Sequence, residues 1–306
     1  MMHHTYPDRA AWLASRREPG TYRIGASEVA AVLGLSPYAD PWDIWARWHL
    51  PAVEATENAA MTRGNVLEPL ILAPLVAQGL WVPQLAVFWQ DATPWLRATP
   101  DGVWHVTPDT FEEYALVEVK TDGNPGCLEA WPASGDISEW TDDETPPIRP
   151  DYWLQVQAQL YCTGATAAEL RVLLLPPYGV PDLRTYRITA SPRWPAILDA
   201  LTAWRERHLI GGEQPPARTR EQAEAVARWR YPAPDVERVA TDAEAYMIGR
   251  VLEHKAAAKR SEELAAIDLM MLAESRGDAK TIYAPGVGRY TLNKRGAVTV
   301  TPWSTK

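Results

Sequence analysis

Glu118 and Lys120 stand two apart in the stretch Val117-Glu118-Val119-Lys120, and that spacing is the strongest chemical signal in the chain. In a strand, residues i and i+2 share a face. The carboxylate and the ammonium therefore point together, while Val117 and Val119 face the other way. The valines favour burial, and charges beside a buried face are costly unless paired, solvated or bound to metal. Asp101, in Ala98-Thr99-Pro100-Asp101-Gly102, closes a preceding β-rich stretch and is expected beside Glu118. Two carboxylates and a lysine at one point suit metal-assisted phosphodiester hydrolysis. Mg²⁺ takes oxygen ligands, typically one or two carboxylates with water and substrate phosphate. It lowers the pKa of a bound water and offsets charge on the phosphate, and a nearby lysine steadies the developing negative charge. A third acid, Glu68, lies upstream in a predicted helix and is placed to complete the metal shell. Singly these features are ordinary: Glu-x-Lys on a strand is often a solvated face with a weak ion pair, and Asp-Gly is a common turn. Their joint order carries the reading.

The elements that must position these groups are legible in outline. A short helix is expected from Asp8 to Arg17. A second is expected from Glu28 to Leu33, capped by Ser27 and stopped at Gly34. A third starts near Asp40-Pro41 and carries Trp42, Ile44, Trp45 and Trp48 at core spacing. The helix that holds Glu68 runs from about Met61 and ends by Gly79, with Pro69 and Pro74 inside it. Three short β-rich runs follow, Leu85–Gln90, Trp95–Val106 and Tyr114–Thr121, and suggest an antiparallel meander. Residues 122–150 read as a long acidic loop with a short helix around Leu128–Trp131. A helix spans Pro150 to Thr163, two strands follow, and Pro195–Ile210 is helical. Gly-Gly-Glu-Gln-Pro-Pro marks a boundary, giving a domain over 1–215 and an appendage over 216–306. The appendage is expected as one long helix or a helical hairpin over 235–276, then two or three short strands. Trp104 and Trp153 are near the proposed site and are expected to pack rather than stack on bases.

Composition limits the function. The chain of 306 residues is 46% hydrophobic and 23% charged, with net charge −9 from 39 acidic and 30 basic residues. That balance argues against holding nucleic acid by bulk electrostatics, while leaving room for a local basic groove. Charge is uneven: residues 121–150 carry seven acidic residues and one Arg, and residues 241–306 carry ten basic and eight acidic ones. Lys255, Lys259, Arg260 and the Lys294-Arg295 pair are candidate contacts there, with a solvated face as the ordinary reading. Two cysteines, Cys127 and Cys162, cannot build a disulfide scaffold or a four-cysteine metal site. No apolar run reaches the roughly 20 residues of a membrane span, and the N-terminus lacks a signal-peptide pattern. The expected setting is the cytoplasm.

A helix Glu, then P-D-G, then E-V-K, then a Gln-rich helix is an order that resembles the PD-(D/E)XK nucleases. Within them the chain resembles the YqaJ-type viral recombinases, relatives of lambda exonuclease. Residues 24–45, 61–69, 98–121 and 150–165 carry the likeness. It implies an α/β fold: a restriction-endonuclease-like core with a central mixed sheet flanked by helices, here followed by a C-terminal helical and β-hairpin appendage. It implies Glu68, Asp101, Glu118 and the Val119 carbonyl as ligands of Mg²⁺, with Mn²⁺ able to substitute, and Lys120 as the catalytic lysine. Gln155 matches a glutamine that contacts DNA near the cleaved phosphate, and Gln157 with Tyr161 fits a Q-x-x-x-Y pattern. Ser27 matches a serine that receives a 5′-phosphate, a task that a helix N-terminus also suits. The arginine that usually precedes that serine has three candidates here, Arg16, Arg17 and Arg23.

The expected activity is 5′→3′ exonucleolytic digestion of linear duplex DNA, leaving single-stranded tails for phage-type recombination in a bacterial host. A single-strand annealing protein and a homo-oligomer are the implied partners. Two alternatives stay open: a site- or structure-specific endonuclease on the same fold, and a non-catalytic protein that binds DNA ends.

Overall fold

The computed structural model describes residues 2–51, 59–105, 114–137, 148–230, 239–275, 279–284, 287–292 and 298–302. They fall into two compact units, Met1–Pro232 and Ala233–Lys306, whereas the sequence pattern put the division at 215/216. In the first unit the chain runs through β1 (Met2–Thr5), α1 (Arg9–Ser15), β2 (Ile24–Gly25), a 3-10 turn (Ala26–Glu28), α2 (Val29–Val32), α3 (Pro41–His49) and α4 (Ala59–Val76). Then come β3 (Ala86–Trp89), β4 (Leu96–Arg97), β5 (Gly102–His105), β6 (Tyr114–Asp122), α5 (Cys127–Ala130), β7 (Gly135–Asp136) and α6 (Pro150–Thr163). The unit closes with β8 (Ala167–Leu174), β9 (Asp182–Thr189), α7 (Trp194–Trp204) with its π-helical extension (Arg205–Ile210), and α8 (Arg220–Arg230).

Strand β6 lies inside a five-stranded mixed sheet of order β5-β6-β8-β9-β7. β5 pairs with it antiparallel, ending at Gly102↔Val117. β8 pairs with it in parallel from Ala115↔Ala167 to Asp122↔Leu174. Helices cover both faces, and the strand's alternation decides what each sees. Val117 and Val119 bury against Leu72 and Leu75 of α4. Leu116 joins Val156, Leu160 and Leu170 in the main core on the other face. Glu118 shares that face with Leu116.

Helix α6 follows from its punctuation. Pro150 occupies the first turn, where its missing N–H costs nothing, and Gly164 at φ +74° closes the end. α3 begins in a reciprocal cap, with Asp43 N donating to Asp40 and Asp40 N donating to Asp43.

The expected meander is present in reduced form: β5 and β6 pair antiparallel, and the run of β3 meets the next run through one antiparallel bridge, Phe88↔Ala98, while β3 also pairs antiparallel with β1, and β4 pairs in parallel with β2. Strands of two to four residues have too little pattern to fix their partners, and tertiary packing chose them. Ser27 is also not an N-cap: it sits inside the 3-10 turn, where Gly25 N donates to Glu28 Oε2 at 2.9 Å.

Among the described residues, the second unit holds one helix, α9 (Asp242–Ser275), and an antiparallel sheet of β10 (Thr281–Ala284), β11 (Gly288–Leu292) and β12 (Val298–Pro302). Lys294-Arg295 and residues 138–147 of the acidic loop lie outside the described residues. Among the described residues, no helix is long and apolar enough to cross a membrane.

Candidate active site

The site forms where β5 and β6 part. β5 starts at Gly102, so Asp101 sits just off its end, beside the stretch of β6 that has no β5 partner. Asp101 Oδ2 accepts the Val119 N–H at 2.7 Å. In an extended strand a residue's N–H and C=O point to the same edge. The Val119 carbonyl therefore faces the Asp101 side as well.

Glu118 is 2% exposed, and three donors hold it. Lys120 Nζ and Gln155 Nε2 each donate to Oε1 at 2.5 Å, and Gln159 Nε2 donates to Oε2 at 2.6 Å. Gln155 and Gln159, one helical turn apart on α6, present one face to the carboxylate. Burial alone would lower the Lys120 ammonium, but the Glu118 and Asp101 charges overcome it, so its pKa is raised and the group stays protonated. Burial, then the Glu118 charge, pushes the Asp101 carboxyl well up. The same two causes, in the same order, raise Glu68, which α4 brings in from its half-buried position.

These acids are near enough to repel one another, yet no three acid, histidine or cysteine side chains among the described residues reach metal-ligand spacing. The donor type nevertheless fits a hard divalent cation: it is all oxygen, it includes a strand carbonyl, and it holds mutually repelling carboxylates.

A cavity of about 280 Å³ runs from this point. Asp101, Gln155 and Gln159 line it together with Thr99, Arg97, Ser27, Arg16 and Arg23. Its arginines differ. Arg16 pairs with Glu28 at 3.3 Å, and Arg47 binds the same Glu28 oxygen. Arg23 pairs with Glu18 at 2.8 Å and donates to the Ser15 carbonyl at 2.7 Å. Arg17 is exposed and does not line the cavity. Arg97 stacks on Trp89, its guanidinium carbon 3.8 Å from the ring centroid, and its buried Nε has no hydrogen-bond partner. Burial, then the charge of Arg23, lowers the Arg97 pKa to about 10.

The structure thus brings together Asp101, Glu118, Lys120, Gln155 and the Val119 backbone, with Glu68 close by and Ser27, Arg16 and Arg23 along the cavity. It takes Gln157 and Tyr161 elsewhere. Gln157 is buried, donates to the Thr189 carbonyl at 2.8 Å and accepts the Ser191 N–H at 2.8 Å. Tyr161 shares a hydrogen bond with Thr93 Oγ1 at 3.0 Å and packs on Trp194. Trp153 is a core residue.

Sequence reading missed Gln159, Arg97 and Arg47. A signal for Arg97 was present: Arg97, Thr99 and Asp101 follow at spacing two in an extended run, so they share a face. Gln159 had one too, being one turn from Gln155.

A mixed sheet flanked by helices, with two acids and a lysine where two strands part, is the core of the PD-(D/E)XK nuclease fold. The profile of the YqaJ-like viral recombinase domain matches residues 11–166, about half of the chain, and the protein belongs to that family. Among solved structures, the alkaline exonuclease LHK-Exo of Laribacter hongkongensis is 22% identical, covering 65% of this chain and 92% of its own, with a TM-score of 0.46. The same enzyme in complex with dAMP is 21% identical over 71% of this chain and 96% of its own, also at 0.46. A phage-related exonuclease from Haemophilus somnus 129PT is 13% identical over 62% and 96%, at 0.40. No curated protein sequence matches the chain.

Proposed function

We propose that this protein is a Mg²⁺-dependent exonuclease that digests linear duplex DNA from a 5′ end and leaves a single-stranded tail for recombination in the cytoplasm of a bacterial host. A single-strand annealing protein is the natural partner for that product. One observation carries the reading: a single cavity is lined by Asp101, by Gln155 and Gln159, which hold the Glu118 carboxylate paired with Lys120, and by Arg97, whose buried Nε has no hydrogen-bond partner. A scissile phosphodiester suits the acids and a terminal phosphate the arginine.

Asp101, Glu118, the Val119 carbonyl and Glu68 are the residues to hold the cation. When bound, such a cation supplies Lewis acidity at the phosphate and a water of lowered pKa. Gln155 and Gln159 orient Glu118 by fixing both of its oxygens. Lys120, kept protonated, is set to orient the attacking water and steady charge that develops on the phosphate. Arg97, with Ser27 and Thr99 beside it, is the preferred anchor for a 5′-phosphate. Arg16 and Arg23 are already engaged by Glu28 and Glu18, and support that end rather than grip the anion. Gln157 and Tyr161 hold α6 in place.

The test is digestion of linear duplex DNA labelled at its 5′ or 3′ end, with Mg²⁺ or with EDTA, beside a closed circle. Early Mg²⁺-dependent release of the 5′ label with an intact circle is expected. A cut circle would replace this reading by an endonuclease, and uncut DNA of every form would leave an end-binding protein.

A further inference from the structure

One side chain from beyond the family-matched stretch, Arg205, reaches the two strands that build the arginine end of the cavity. Those strands, β2 and β4, are two residues each and pair in parallel, Ile24 with Leu96 and Gly25 with Arg97. Arg23 precedes β2 and Ser27 follows it, so this register sets how far both stand from Arg97. So short a ladder has few hydrogen bonds with which to keep its register. The β4 run is also tied on by the bridge Phe88↔Ala98, whereas among the described residues β2 has β4 as its sole strand partner.

Arg205 opens the π-helical stretch that follows α7, and its side chain is 12% exposed. Its Nε donates to the Tyr22 carbonyl at 2.9 Å and its Nη2 to the Thr21 carbonyl at 3.2 Å. Its guanidinium carbon lies 5.3 Å from the centroid of the Trp95 ring. Tyr22 stands just ahead of β2 and Trp95 just ahead of β4, so one guanidinium spans the entries to both strands. Its Nη1 donates to Glu206 at 3.2 Å. Arg205 does not line the cavity.

The segment that it holds is strained. Tyr22 has φ +45°, and among the described residues Leu85 is the other non-glycine residue with a positive φ. A side chain disfavours that region, which persists only where the surroundings enforce it. The Tyr22 ring packs against Trp48 and His49 of α3. Arg205 fixes the two peptide planes that flank the Tyr22 Cα, and the second of these leads directly to Arg23. The task suits arginine, whose planar fork can bond two acceptors while its face meets a ring; an ammonium cannot do both.

We propose that Arg205 is a positioning residue for the 5′-phosphate end. By locking the Thr21–Tyr22 turn against Trp95 it sets the register of β2 on β4, and with it the placing of Arg23 and Ser27 relative to Arg97. The inference rests on the 5′-phosphate reading given above. Fluorescence anisotropy in Ca²⁺ tests it, with short duplexes that differ only in a 5′-phosphate or a 5′-hydroxyl. The wild-type chain should prefer the phosphate. Arg205→Met should lower that preference by about tenfold, the scale on which removing an orienting partner weakens a ligand site. In an Arg97→Met background the same change should have no further effect, because Arg205 acts through that end. Arg205→Lys keeps the charge and loses the fork, so it should lose the preference too; it replaces Arg205→Met if circular dichroism shows the latter unfolded. A preference that survives in both Arg205 variants, or a loss that adds in full to that of Arg97→Met, would overturn the role of Arg205 and leave the 5′-phosphate reading standing. A wild-type chain that binds both duplexes alike would remove that reading and the inference with it.

Discussion

The acid cluster and the arginines along the cavity handle charge in different ways. At the acid end Glu118 is answered by three donors, Asp101 by the Val119 N–H, and Lys120 by Glu118, while Glu118 still repels Asp101 and Glu68. At the arginine end Arg16 and Arg23 are also answered, but Arg97 is stacked on a ring, with a buried Nε that meets nothing. Burying a charged donor without a partner is costly, and the fold tolerates it at one place only along this wall. On the proposed function, the contrast separates groups that would act on a phosphate from a group that would receive one.

The largest effect expected is at the acid end. Lys120→Ala should slow cleavage by about 10²–10³-fold while DNA binding, followed by gel shift in Ca²⁺, is kept; near-normal turnover would remove Lys120 from the chemistry. Arg97→Met tests the other end. It should reduce the preference for 5′-phosphorylated over 5′-hydroxyl duplex by about tenfold or more, since a hydrogen bond to a charged group contributes about 1.5–3 kcal/mol. An unchanged preference would return the role to Arg16 or Arg23.

Helix α6 offers a sharper version of the comparison, since its two glutamine faces do different work. Gln159→Leu should leave a buried Glu118 oxygen unpaired and lower turnover, with Mg²⁺ dependence shifted to higher concentration. Gln157→Leu should instead lower stability by about 1–3 kcal/mol in urea unfolding, with turnover per folded molecule unchanged. Equal kinetic effects from the two would erase the distinction between the faces. The smallest effect belongs to Asp40→Ala, a residue that does not line the cavity. Losing the α3 cap should cost about 1 kcal/mol, seen as a lower Tm, and leave end preference alone.

The sequence announced α6 almost to the residue, because Pro150 and Gly164 act locally on the backbone. It also announced Glu118 and Lys120, because strand alternation is local. It did not say which glutamines face the acids. Positions 155/159 and 157/161 obey the same four-residue spacing, and only the docking of α6 on the sheet selects between them. Short strands were legible as strands and only partly as partners: the antiparallel meeting of the β3 run with the next run was expected, whereas β1 and its pairing with β3 went unseen. The arginine question was framed around residues before Ser27. The proposal moves it to Arg97, whose charge lies near that of Arg23 although the two are far apart in sequence.

The family match stops at residue 166, and β8 begins at Ala167. The parallel partner of the strand that carries Glu118 and Lys120 thus lies wholly outside the stretch by which the family is recognised. A fragment trimmed to that stretch would leave β6 with a bare flank from Ala115 to Asp122, the lengthwise row of unpaired N–H and C=O groups that invites other chains to add on. Anyone excising a minimal version for expression should expect insoluble aggregates from a cut at 166, and should carry the chain at least through β9.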